Sequence, residues 1–158
     1  MEQIKIRKAS LNDLDILLGF EKGVINTERP FDVTIQSGDI HYYDIAGMIR
    51  SPDVEVVVAE SGSEIIGSGY ARIENSKIYF NHQKHAYLGF MFVKPDYRGK
   101  GVNQKVIEAL QQWAISRNVT EFRLEVYNDN LPAIKAYEKI GFAKLMIAMR
   151  MELPSGSL

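Results

Sequence analysis

The strongest constraint on this fold is a change of hydrophobic period near residue 95. Before it, VEVVVAE, EIIGSGYARIE and HAYLGFMFV are successive runs of strand character, the first two joined by SGS and the last two by the polar NSKIYFNHQK. That pattern predicts an antiparallel meander. After it come a loop and helix over residues 96–117, a strand EFRLEVY, a helix NLPAIKAYEKI closed by Gly141, and a last strand AKLMIAMRME. Upstream, IKIRKA reads as an opening strand and SLNDLDILLGFEKGVI as a helix capped by Ser10. NTERPFDVTIQSGD is a Pro- and Gly-marked connection, and IHYYDIAGMIR a short second helix that ends before Ser51 and Pro52.

A chain of 158 residues, 46% hydrophobic and 25% charged, suffices for one core, so a single domain is expected over residues 1–153 with a frayed tail at 154–158. No window holds the run of about eighteen apolar residues that a membrane span needs, and MEQIKIRKAS has no apolar leader. The expected compartment is the cytoplasm. Nineteen basic residues against twenty acidic ones give a net charge of −1, which argues against a general nucleic-acid or anionic-membrane binder. With no cysteine there is no disulfide, thiolate metal site or cysteine nucleophile. The three histidines lack the spacing to carboxylates that a metal site requires.

The stretch PDYRGKGVNQKVIEAL runs from a loop of glycines and cations straight into an amphipathic helix. A helix N-terminus offers unpaired N–H groups and roughly half a positive charge, and glycines let a phosphate approach the backbone. Gly99 and Gly101 meet that need, and Arg98 and Lys100 add full charges. A P-loop does not fit, since no GxxxxGK[ST] is present, and GSGYAR at 67–72 lies inside a strand and ends on Arg72. Taken alone, RGKG also suits a plain glycine turn that caps a helix.

The surrounding residues narrow the choice. MFVKPDYRGKGVNQKVIEALQQWA followed by FRLEVYNDNLPAIKAYEKIGF closely resembles the coenzyme-binding core of the GNAT N-acetyltransferase superfamily. Val93, Pro95, Arg98, Gly99 and Gly101 match its first motif, and Asn130, Ala133, Tyr137, Gly141 and Phe142 its second. Asn103 stands where Gly or Ala is usual. The resemblance implies an α/β (α+β) fold with a mixed, mainly antiparallel sheet of six to seven strands flanked by about four helices. It also implies acetyl-CoA as co-substrate, with its diphosphate on the N–H groups of Gly99, Lys100, Gly101, Val102, Asn103 and Gln104 and its pantetheine arm along Met91, Phe92 and Val93. Gly89 fits the bulge that opens the cleft in this family. Asn130 caps its helix and can also bond the coenzyme's arm.

Direct transfer of an acetyl group to a primary amine needs a neutral amine, a stabilised oxyanion and a proton for the departing thiolate. The resemblance makes Tyr137 the proton donor, and a tyrosine's ordinary pKa of about 10 lies near a thiol's of about 8.5. The Val93 N–H is the expected oxyanion donor. Glu125 matches a position that some relatives use as proton acceptor, with His82 and His85 as other candidates for the base. A catalytically idle acyl-CoA sensor and an interaction domain stay open as alternatives, the first disfavoured by Tyr137 and the second by the glycine loop. Dimers are common in the family, so a homodimer stays open too. Between residues 20 and 50, Glu21, Glu28, Asp32, Asp39 and Asp44 outnumber Lys22, Arg29 and Arg50, which predicts a positively charged amine as acceptor, small or peptidic.

Overall fold

The computed structural model describes residues 3–157. They fall into two compact units, one running through Glu125 and the other from Val126 onward. In the first, β1 (Ile4–Lys8) leads through a 3-10 turn at Leu11–Asp13 into α1 (Leu14–Glu28). A second such turn (Arg29–Phe31) and a loop precede α2 (Ile45–Arg50), and the meander follows as β2 (Val54–Ser61), β3 (Glu64–Asn75) and β4 (Lys84–Val93). A turn at Pro95–Tyr97 then enters α3 (Val102–Ile115) before β5 (Phe122–Arg123). The sheet runs β1-β2-β3-β4-β5, with every pair antiparallel except β4 and β5.

The helix start at Ser10 is a capping box. The Ser10 N–H donates to Asp13 Oδ2 at 2.8 Å. Arg7 on β1 grips the same carboxylate with both terminal nitrogens, at 2.8 and 2.9 Å, and reaches Glu60 on β2 through Nε at 2.7 Å. This guanidinium holds the Asp13 carboxyl below the usual carboxylate range. One arginine therefore ties two strands to the entrance of α1.

Interior strands are buried on both faces, as their apolar runs require. Val56, Val58, Tyr70 and Phe90 meet Leu17, Phe20 and Ile45 on one side. On the other lies α3, with Val102, Val106, Ile107, Leu110 and Ala114 buried. Each such large side chain contributes about 1.5–3 kcal/mol of transfer free energy.

Among the described residues the expected six or seven strands are five. EFRLEVY contributes only Phe122 and Arg123, paired with Ala86 and Tyr87. The expected last strand, AKLMIAMRME, has no regular structure. Leu145, Met146, Ile147, Met149 and Met151 are all at least 70% exposed there. Strand-like composition becomes a strand only where a neighbour takes its hydrogen bonds and a layer covers its apolar face.

In the second unit, α4 (Leu131–Ile140) begins at Asn130, whose Oδ1 accepts from the Ala133 N–H at 3.4 Å, with Pro132 in the first turn. Gly141 ends it at φ 123°, and the N–H groups of Gly141 and Phe142 return to the Tyr137 carbonyl at 3.2 and 3.1 Å. Among the described residues no helix is long and apolar enough to cross a membrane.

Candidate active site

The site in the first unit is set by an irregularity in β4. Tyr70 on β3 faces Gly89, but Ser68 faces Phe92, so Phe90 and Met91 together stand opposite Gly69. Phe90 carries φ 57°. This is a bulge, and it lies one residue beyond Gly89, where the sequence placed it. Gly89 is glycine for a different reason: a Cβ there would stand 2.7 Å from the Tyr70 ring.

The bulge leaves the second half of β4 with an open edge. Pairing with β5 ends at Tyr87. On the β3 side, Lys94 donates to the Ile66 carbonyl at 2.8 Å, while Val93 stands opposite Gly67. In an antiparallel ladder hydrogen-bonded and non-hydrogen-bonded pairs alternate. The Val93 N–H and C=O therefore point away from β3, toward the edge that β5 does not cover. The carbonyl is taken by Arg98, whose Nε donates to it at 3.0 Å.

Beyond β4 the chain turns into the glycine loop. Gly99 and Gly101 have φ of 75° and 79°, and Gly101 is the N-cap of α3. An added Cβ would meet nothing within 4 Å at either glycine, so it is the left-handed backbone that calls for glycine, and the space in front of both is open. The N–H groups of Val102, Asn103 and Gln104 open into the first turn, where a helix has no carbonyl to offer them. Lys100 lies over the Tyr97 ring at 5.4 Å, and the Tyr97 hydroxyl donates to Glu64 at 2.9 Å. Open space, helix N–H groups and two cations fit a diphosphate. Asn103 buries its Oδ1 with no hydrogen-bond partner.

On the α1 side of the sheet, tyrosines line a polar stretch. The Tyr43 ring lies 5.7 Å from Tyr70, and Tyr70 lies 6.4 Å from Tyr87. Burial pushes the hydroxyl pKa of all three up, most strongly for Tyr43 and Tyr87, so they stay neutral. Glu125 lies two residues past β5, exposed, with the Tyr87 hydroxyl 3.5 Å from its Oε1. His85 has both ring nitrogens engaged, by Ser76 at 3.0 Å and Glu74 at 3.2 Å. His82 stacks on Phe80 with its Nε2 buried. Of the three, Glu125 is the exposed one.

Three of the five carboxylates counted between residues 20 and 50 have hydrogen-bond partners within the fold. Glu21 is fully buried and accepts from His41 at 2.7 Å and from the N–H groups of Tyr42 and Tyr43 at 2.8 Å each. Asp44 accepts from Gly47 at the start of α2, and Asp32 from the Thr34 N–H. The count along the sequence included one carboxylate, Glu21, that is buried and out of reach of an acceptor. What the count missed was the tie from Glu21 to the loop at 41–43; its signal was a carboxylate on the buried face of an amphipathic helix.

In the second unit Tyr137 lies on α4 with its ring 5.9 Å from that of Phe142, and Asn130 caps the same helix.

The family model for the acetyltransferase (GNAT) family matches residues 23–142. Thialysine N-epsilon-acetyltransferase of Sus scrofa is 27% identical over 153 residues, which cover 89% of this chain and 85% of that protein. The Bos taurus protein of the same name is 31% identical with the same coverage. Among solved structures, a mutant of a Bacillus halodurans protein has a TM-score of 0.83 at 19% identity, covering 94% of this chain and 99% of that one. The acetyltransferase AAC(6')-Iy, bound to a bisubstrate analogue of CoA, has a TM-score of 0.78 at 19% identity, covering 97% and 99%. With the family model spanning most of its length, this chain belongs to the acetyltransferase (GNAT) family.

Proposed function

We propose that this protein transfers an acetyl group from acetyl-CoA directly to a primary amine. The observation that carries the reading is the continuity of two features: a β4 edge with the Val93 N–H turned outward, and a glycine loop that opens the N-terminus of α3. Acetyl-CoA supplies an activated thioester. Met91, Phe92 and Val93 hold its amide-bearing arm in the manner of an added strand. Arg98, Lys100 and the N–H groups from Gly99 to Gln104 hold its diphosphate.

The Val93 N–H stabilises the oxyanion, and Glu125 takes the amine's proton, directly or through water. Tyr137 returns a proton to the thiolate and Asn130 bonds the coenzyme's arm; these two roles rest on their places in the second motif. That the two relatives are thialysine N-epsilon-acetyltransferases favours a small-molecule amine as acceptor.

Thermal melting tests the coenzyme half of the reading. A ligand at a hundredfold excess over its dissociation constant stabilises the native state by about 2.7 kcal/mol. For a chain of this size that raises the melting temperature by roughly 5–10 °C. No rise with acetyl-CoA at millimolar concentration would contradict it.

A further inference from the structure

Phe90 has no partner in the β3 register, and side chains from two other elements close on it instead. The Ser68 hydroxyl, fully buried on β3, donates to the Phe90 carbonyl at 3.0 Å. From the other side, the Tyr43 ring packs against the Phe90 ring, centroids 5.0 Å apart, which brings its hydroxyl toward the Phe90 backbone amide. Tyr43 is itself fixed, because its own N–H donates to the buried carboxylate of Glu21 on α1 at 2.8 Å. A phenylalanine at positive φ is strained, so the conformation persists only where its surroundings determine it. The ties come from β3 and from the loop between α1 and α2, and they meet at the one residue that decides where Met91–Val93 point.

We propose that Ser68 and Tyr43 are positioning residues for coenzyme binding, holding the Phe90 backbone so that Met91–Val93 keep their open edge in register with the coenzyme's arm. The proposal rests on the acetyl-CoA reading of that edge. Neither side chain touches the coenzyme in this scheme. Both act through Phe90, so removing either hydroxyl loosens the same peptide, and removing both adds little to removing one.

Tyr43→Phe keeps the ring and its packing, and Ser68→Ala removes one buried hydroxyl. The experiment is calorimetric titration of coenzyme A into the wild-type chain, both variants and the double variant, with Tyr42→Phe as a control, at a temperature where melting curves show each to be folded. The Tyr42 hydroxyl is placed toward Glu28 rather than Phe90. The expected result is a dissociation constant raised about tenfold in each single variant, with little further change in the double variant and none in Tyr42→Phe. Amide hydrogen exchange at Phe90 should quicken in both variants while the β2 amides keep their protection, which a general loss of stability would not produce. If Ser68→Ala does not fold, Tyr43→Phe decides alone. Wild-type binding with variant dissociation constants within twofold of it would overturn this proposal only. No binding by the wild-type chain would overturn this proposal and the acetyl-transfer reading together.

Discussion

Arg98 donates through Nε to the carbonyl of Val93 at 3.0 Å, so the first cation of the glycine loop also fastens the end of the strand that precedes it. Loop and open edge are tied at this point, and a change at Arg98 should be felt by both.

Arg98→Lys keeps the charge but loses the planar fork that serves two directions at once. The expected outcome is a KM for acetyl-CoA raised about tenfold, equivalent to about 1.4 kcal/mol, with the KM for the amine little changed. Steady-state kinetics with each substrate varied in turn checks it; an acetyl-CoA KM within twofold of wild type would separate the loop from the strand.

At Gly101 the backbone has φ 79° and there is nothing within 4 Å of a Cβ position. Gly101→Ala should therefore cost about 1–2 kcal/mol of stability through strain alone. Gly101→Glu adds a negative charge where the diphosphate would rest, and should also abolish the rise in melting temperature with acetyl-CoA. Melting curves of both variants with and without coenzyme separate strain from ligand repulsion. A full rise in Gly101→Glu would remove the loop from the binding site.

Asn103 buries an acceptor oxygen without a donor. An unsatisfied buried polar group costs about 1–3 kcal/mol, so Asn103→Ala should stabilise the free chain by about 1 kcal/mol or more, read from urea unfolding. Loss of stability would mean that the amide has a hydrogen-bonding role in solution.

The His41 imidazole is held above its usual pKa, first by its hydrogen bond to Glu21 and then by that carboxylate's charge, with Asp39 adding to the effect and Lys22 opposing it. Folding thus favours the protonated form. The resulting stabilisation is complete below about pH 6.5 and is lost as pH rises through the raised folded value. The difference in melting temperature between wild type and His41→Gln should narrow from about pH 6 to about pH 9. A difference that is constant across that range would place the pair's contribution elsewhere.

Much of the first unit was legible because burial writes itself into the sequence. VEVVVAE and EIIGSGYARIE are interior strands with both faces covered, and Gly99 and Gly101 carry the φ values their motif suggests. The bulge was misplaced by one residue for a physical reason. Glycine is the usual sign of an irregular strand, whereas the φ 57° here falls on Phe90, whose contacts Ser68 and Tyr43 are far from it in the sequence. Glu21 read as surface charge because nothing local shows that Tyr42 and Tyr43 fold back onto it. The strand expected at AKLMIAMRME depended on a pairing partner, which composition does not supply.

Amine-dependent release of the coenzyme A thiol from acetyl-CoA, with mass detection of the N-acetylated amine, tests acetyl transfer most directly, in the wild-type chain and in Tyr137→Phe. The expected result is amine-dependent turnover by wild type, and in Tyr137→Phe unchanged coenzyme binding with turnover slower by roughly 10²–10⁴. A wild-type chain that binds acetyl-CoA by calorimetry yet releases no thiol with any of a panel of small cationic, neutral and peptide amines would contradict it.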